Sequence, residues 1–244
     1  MKLDILAFGV HPDDVELSCA GTLMVEIARG KKVGIIDLTQ GELGTRGTAA
    51  TRKAEAAAAA DIMGVHVREN LAMRDGFFAN DEAHQLQVIQ KIRQYQPEIV
   101  LANALEDRHP DHGRSSKLVS DAAFLSGLRK IETKHESVLQ EAWRPKYVFH
   151  YIQDRYIKPD FVVDISSVFD KKVAAIKAYT TQFHNPNAQD AEPQTYISAP
   201  GYLDTVLYRH RMLGKSIGVE YAEGFLSQKM IGVHHLDAFV KVTT

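Results

Sequence analysis

Short apolar runs alternate with helix-period segments along the first half of the chain, and this alternation narrows the choice of fold more than any other feature. Ile5 to Val10, Val33 to Leu38 and Ile99 to Ala102 read as buried strands, and Val65 to Leu71 as a weaker one. Between them, Val15 to Arg29 carries Leu17, Ala20, Leu23, Met24 and Ile27 on one helical stripe. Arg52 to Met63 is an alanine-rich helix stopped by Gly64. Ala83 to Tyr95 reads as a helix closed by Pro97, and Ser115 to Leu128 as another. Strand–helix–strand alternation at this spacing implies βαβ units, hence an α/β fold with a mostly parallel sheet covered on both faces. Right-handed crossovers then place the carboxyl ends of the strands along one edge, where such sheets bind ligands.

The second half is less regular. Tyr147 to Ile152 and Phe161 to Ile165 are expected strands, Val168 to Tyr179 and Tyr202 to Leu213 expected helices, and Phe183 to Pro193 a polar surface loop. With no repeat and no linker, the expectation is a single domain over 1–244 with a less regular carboxyl-terminal part. A chain of 244 residues with 45% hydrophobic and 25% charged residues can bury a large core and argues against disorder. The formal charge of −2 supplies no basic field for a nucleic-acid backbone, so no nucleic-acid partner is expected. The single cysteine, Cys19, excludes an internal disulfide and fits a reducing compartment. No apolar stretch reaches the ~18 residues of a membrane span. A cytoplasmic protein without a membrane partner is the expectation.

Two clusters carry chemistry. His11-Pro12-Asp13-Asp14 sits where the first strand ends, and Glu106-Asp107-Arg108-His109-Pro110-Asp111-His112 follows the fourth. Each alone reads as a helix start, with an acid in the first turn. Together, at the same edge of one parallel sheet, they point to a metal site made of imidazole and carboxylate. His11, Asp14 and His112 are the ligands chosen. Three protein ligands leave coordination open for water and substrate, which marks a catalytic rather than a structural zinc. Asp13 is then placed to take a proton from that water. His109 is left to stabilise an oxyanion or protonate a leaving amine, with Asp111 holding its tautomer and raising its pKa. These roles describe metal-assisted hydrolysis of an amide or ester.

Both clusters resemble the PIG-L/LmbE-like family of zinc-dependent N-acetylglucosamine deacetylases. The likeness runs through Ala7 to Glu16, Asp37 to Thr48, Glu106 to His112 and Tyr221 to Phe225, and so covers almost the whole chain. The Gly41 to Thr48 segment is similar to the bacillithiol-biosynthesis branch, whose substrate is N-acetylglucosaminyl malate. The resemblance implies a Rossmann-like three-layer sandwich and one Zn²⁺ per chain on His11, Asp14 and His112, with Fe²⁺ or Co²⁺ as alternatives. It implies Asp13 as general base, and His109 with Asp111 at the tetrahedral intermediate. The decision between the two histidines of the second cluster comes from this likeness. It further implies a tyrosine near the intermediate, which falls on Tyr202. Arg52, Arg108 and Arg46 become the candidates for a substrate carboxylate, because a guanidinium binds one bidentately. Bacillithiol-type members are often hexamers, so the implied assembly is a homo-oligomer, although no spacing in the chain shows one. The other histidines, including His234 and His235, are expected to be surface or satisfied core. A deacetylase for another N-acetylglucosaminide, such as a chitooligosaccharide, is the nearest alternative. A sugar- or nucleotide-binding protein without catalysis is the competing class. The turn after the first strand lacks G-x-G-x-x-G, and Asp13 with Asp14 would repel a pyrophosphate.

Overall fold

The computed structural model describes residues 1–184 and 192–239. In chain order the elements are β1 (Ile5–Gly9), α1 (Asp14–Ser18), α2 (Ala20–Ala28), β2 (Val33–Thr39), α3 (Ala49–Met63), β3 (Val67–Met73), α4 (Glu82–Tyr95), β4 (Ile99–Ala102) and α5 (Pro110–Leu125). A small ribbon of β5 (Lys134–His135) and β6 (Val138–Leu139) follows, then β7 (Tyr147–Tyr151), β8 (Phe161–Asp164), α6 (Phe169–Lys177), α7 (Tyr202–Ser216) and β9 (Ala222–Ser227). Part of the stretch expected as a surface loop, 185–191, lies outside the described residues.

The central sheet has seven strands in the order β3-β2-β1-β4-β7-β9-β8. Neighbours from β3 to β7 are parallel, and β9 runs antiparallel to both β7 and β8. β1 and β2 are buried along their whole length, which is why they read as apolar runs, interrupted in β2 only by Asp37. Two cores flank the sheet. One joins Ala7, Ile35 and Leu101 to Leu23 of α2, Ala59 of α3 and Ile176 of α6. The other joins Leu6, Phe8, Ile36 and Val100 to Ile89 and Ile92 of α4 and Val119 of α5. The result is the three-layer α/β sandwich that the alternation implied. From β1 the chain proceeds outward to β2 and β3, then returns to place β4 on the other side of β1. That reversal makes a crevice at the carboxyl ends of β1 and β4. No helix among the described residues is long and apolar enough to cross a membrane.

Four of the differences from expectation have a clear physical reason. The helix expected over Val15 to Arg29 is two helices broken at Cys19, whose φ of −138° and ψ of 9° are not helical. The break is held from elsewhere: Glu223 of β9 accepts the Gly21 and Thr22 amide N–H groups at 2.9 and 2.6 Å. Gly21 itself leaves no room for a side chain, since a Cβ there would stand 2.8 Å from Ile165. α3 starts at Ala49 rather than Arg52, because the Thr48 hydroxyl accepts the Thr51 N–H and completes a capping box. α5 starts at Pro110 rather than Ser115, with His109 as its N-cap and proline at its first turn. Finally, Tyr221 to Phe225, assigned no strand from the sequence, supplies most of β9. Its alternation is hidden because Ala222 to Phe225 are all buried.

Candidate active site

The two motif-bearing turns meet in the crevice between β1 and β4. They line a cavity of about 370 Å³ together with the loops after β2, β3 and β7 and the start of α7. His11, Asp13, Asp14, His109, His112, Arg46, Arg52, Arg108 and Tyr202 all face it. Asp111 is fully buried just behind, with one carboxylate oxygen 3.8 Å from His11 Nε2.

Asp14 is the most heavily restrained of these groups. Its Oδ2 accepts the Val10 and His11 N–H groups at 2.9 and 3.0 Å and the Asn103 side-chain amide at 3.0 Å. Its Oδ1 accepts from Gln153 at 3.1 Å and lies 3.2 Å from His112 Nε2, while His11 Nδ1 stands 3.7 Å from Oδ2. Burial pushes this carboxyl up, but His112, His11 and the backbone amide outweigh it and hold the group well below the usual range. The orientation of Gln153 follows from its neighbours. Asn103 Nδ2 and the Ala104 N–H both donate to Oε1, so Nε2 must be the edge presented to Asp14.

Asp13 lies one residue away in a different environment. Its φ of 128° is in a region that side chains avoid, and such a backbone stores on the order of 1–3 kcal/mol. Burial pushes its carboxyl up to about 7, with Asp14 and Glu16 adding to the rise and Arg52 and His11 opposing it. The Arg52 guanidinium holds it at 3.1 Å and also donates to the Pro12 carbonyl at 2.6 Å. Arg52 reaches this point across Gly41, where a Cβ would lie 2.0 Å from the guanidinium. Below the turn, Arg68 joins Asp37 at 2.9 Å and pairs with the buried Glu16.

Both candidate metal-binding imidazoles are held from behind by carboxylates. Asp75 Oδ1 sits 3.0 Å from His11 Nε2, and Asp107 Oδ2 sits 2.5 Å from His112 Nδ1. Burial pulls His112 down, yet Asp14 and Asp107 outweigh it and raise the group to about 10. Ligand atoms of His11, His109 and His112 lie within 4.8 Å of one another, as do those of His11, Asp75 and Asp111. This donor set fits a divalent ion: imidazole and carboxylate face one cavity, and carboxylates fix the far ring nitrogens as supporting groups of metal ligands do.

His109 departs from expectation. Its Nδ1 accepts the Asp111 backbone N–H at 3.3 Å, which places the ring proton on Nε2. The Asp111 carboxylate instead accepts from Gly76 N–H at 2.9 Å and from Arg114 at 2.5 Å. The tautomer is therefore held by the Asp111 backbone and not by its side chain. Burial and the neighbouring His11 and His112 lower the His109 pKa, outweighing the pull of Asp111 in the other direction. The expected rise is corrected to a fall.

The three arginines expected for substrate are all engaged. Arg52 is paired with Asp13. Arg46 donates to the Thr181, Glu192 and Pro193 carbonyls. Arg108 lies 3.4 Å from Asp154 and stacks over Tyr196 at 4.2 Å. Tyr202 packs parallel to Phe183 and edge-on to Tyr196, and burial pushes its phenol up. His234 and His235 are exposed and away from the cavity. Sequence reading missed Asp75, Asn103 and Gln153 and gave Asp107 no role. Each of the first three sits within two residues of a strand's carboxyl end, and a polar residue at that position of a buried parallel sheet was the available signal.

The PIG-L family, described as GlcNAc-PI de-N-acetylase, matches residues 6–123. The diacetylchitobiose deacetylase of Thermococcus kodakarensis is 28% identical over 90% of this chain and 81% of its own length. The 4-oxalmesaconate hydratase of Pseudomonas putida is also 28% identical, over 73% of this chain and 74% of that protein. Among solved structures, the conserved protein TT1542 from Thermus thermophilus is 36% identical with a TM-score of 0.83, covering 95% of this chain and 98% of that one.

Proposed function

We propose, from the premise that this chain belongs to the PIG-L family of GlcNAc-PI de-N-acetylases, that it is a metal-dependent hydrolase removing the N-acetyl group from an N-acetylglucosaminyl conjugate. The observation that carries this reading is the convergence, at one crevice, of three imidazoles with an ionised Asp14 and a neighbouring Asp13 of quite different proton affinity. Two groups whose surroundings drive their pKa values apart mark an acid–base assignment.

His11, Asp14 and His112 are the residues proposed to hold the ion, with Zn²⁺ first and Fe²⁺ or Co²⁺ as alternatives that the same nitrogen and oxygen donors accept. When bound, such an ion lowers the pKa of a water to about 7 and polarises an acyl carbonyl. Asp13 accepts the proton of the attacking water, and Arg52 keeps part of the Asp13 population ionised near neutrality. His109, neutral and with its proton on Nε2, donates to the oxyanion or passes a proton to the departing amine. Asp111 fixes the His109 ring through its backbone, and Tyr202 borders the same space. The finer reading of the substrate is N-acetyl-α-D-glucosaminyl L-malate, in bacillithiol biosynthesis, supported by the Gly41 to Thr48 segment that carries Arg46 into the cavity wall.

Acetate release from N-acetylglucosaminyl malate and from N,N′-diacetylchitobiose by metal-loaded protein tests both levels. Release from the malate conjugate at the higher kcat/KM is expected. Preference for diacetylchitobiose would move the substrate to the chitooligosaccharide type, and release from neither would end the deacetylase reading. The Pseudomonas putida relative supports one second reading, in which the same base delivers water to a carbon–carbon double bond. Hydration of 4-oxalmesaconate without acetate release from any glucosaminide would put that reading in place of the first.

A further inference from the structure

Six buried side-chain polar atoms have no hydrogen-bond partner among the described residues. Three of them, Ser18 Oγ, Arg52 Nε and Arg209 Nε, belong to side chains that line the cavity. Arg209 differs from the other arginines there. Arg52 has Asp13, Arg108 has Asp154, and Arg46 is committed to backbone carbonyls. Among the described residues Arg209 makes no ion pair, and its hydrogen bond runs from Nη2 to the Leu17 carbonyl at 3.3 Å. That carbonyl belongs to the residue preceding Ser18, which lines the same cavity and whose hydroxyl is also unsatisfied. Tyr202, two helical turns earlier on α7, shares the face of Arg209, and its hydroxyl has no partner among the described residues.

A cation set in a cavity wall without an anion is costly unless a ligand brings the countercharge. Here the wall offers N–H and O–H donors, and the planar guanidinium edge matches a carboxylate. We propose that Arg209, with Ser18, forms a subsite for a carboxylate carried by the substrate beyond its acetamide. Arg209 is then the specificity residue that separates acidic from neutral aglycones. The identification of that carboxylate as part of a glucosaminide rests on the deacetylase reading, whereas the subsite itself rests on Arg209 and Ser18.

Calorimetric titration with L-malate and with its dimethyl ester separates the charge from the rest of the molecule. The wild-type protein is expected to bind malate at least ten times more tightly than the ester. Arg209→Met is expected to abolish that preference, Arg209→Lys to retain part of it, and Ser18→Ala to weaken malate several-fold. Arg209→Lys keeps the charge and the stem, so it carries the test if Arg209→Met does not fold. In turnover, Arg209→Met is expected to raise KM for N-acetylglucosaminyl malate at least tenfold while leaving methyl N-acetylglucosaminide unchanged. Equal malate binding by wild-type and variant proteins, or no preference in the wild type, overturns the subsite. Equal loss on both glycosides overturns it as well, because that pattern belongs to a structural residue. Arg209-dependent malate binding without acetate release from either glycoside or from N,N′-diacetylchitobiose would sink the deacetylase reading and leave the subsite standing. Acetate release with malate binding indifferent to Arg209 would do the reverse.

Discussion

The turn after β1 and the turn after β4 deliver the same kinds of side chain to one cavity, yet they are built in opposite ways. The first feeds a five-residue helix with no side-chain cap and holds Asp13 at a φ of 128°. The second opens a 16-residue helix with a capping imidazole, proline in its first turn and an acid behind it. At β4 the site is made out of an ordinary helix start, and His109 serves helix and cavity at once. At β1 local backbone preference is overridden, and the geometry survives because Arg52, Asn103 and Gln153 restrain it from three other segments. The proposed base and its neighbouring proposed ligand thus sit where the backbone strain is, and the proposed donor where there is none.

The contrast can be tested by substitutions in each turn. Asp13→Asn is expected to lower kcat by about 10²–10⁴-fold while the metal content per chain, read by elemental analysis, stays the same. Retained turnover would show that the strained turn is not serving as a base. Asp107→Asn, behind the second turn, is expected to weaken metal binding by roughly 10–100-fold in a chelator competition, and Asp75→Asn to do the same behind the first. An effect confined to one of the two would mean that the turns do not share one ion.

Arg52→Met is expected to change the pH profile. In its proposed role as base Asp13 must be ionised, and burial pushes it up to about 7 against the pull of Arg52. Removing the guanidinium raises that group further, so the ascending limb of kcat/KM moves to higher pH and the loss is larger at about pH 6 than at about pH 9. A uniform loss across pH would assign Arg52 to substrate binding instead. The smallest effect concerns stability. His109→Leu removes the cap of α5 and is expected to cost about 0.5–2 kcal/mol in denaturant unfolding, whereas His109→Asn keeps a capping side chain and most of that stability. The same loss in both would mean that the second turn is not a capped helix start.

The layers, the parallel sheet and the edge that carries the site were legible because β1, β2 and β4 are buried almost throughout and their runs are apolar apart from Asp37. β9 was not, since Ala222-Glu223-Gly224-Phe225 mixes a buried acid and a glycine into a strand whose partners lie far away in sequence. Both motif clusters were legible, because two histidines and three acids in seven residues exceed what a helix start requires. The supporting groups were not. Gln153 and Asn103 become meaningful only once β4 and β7 lie side by side: a place just past a strand's carboxyl end marks each as a candidate but does not say which partner it meets. The role given to the Asp111 side chain failed for a related reason. Spacing put a carboxylate two residues from His109, but the helix start turned it toward Arg114 and Gly76 and left the backbone N–H facing the ring.

Glu223 bridges the amides of Gly21 and Thr22 and takes the buried Lys172 ammonium at 2.7 Å. The start of α2 is therefore braced by a residue that leaves the ribosome more than 200 positions later, and Lys172, held by that residue, also donates to the Glu16 carbonyl of the helix bearing Asp14. A nascent chain can assemble β1 to β4 and both motif turns while this brace is still missing, so the hydrolytic centre matures last. Hydrogen exchange on newly released protein would find the α1–α2 amides closing together with β9 and after the rest of the parallel sheet.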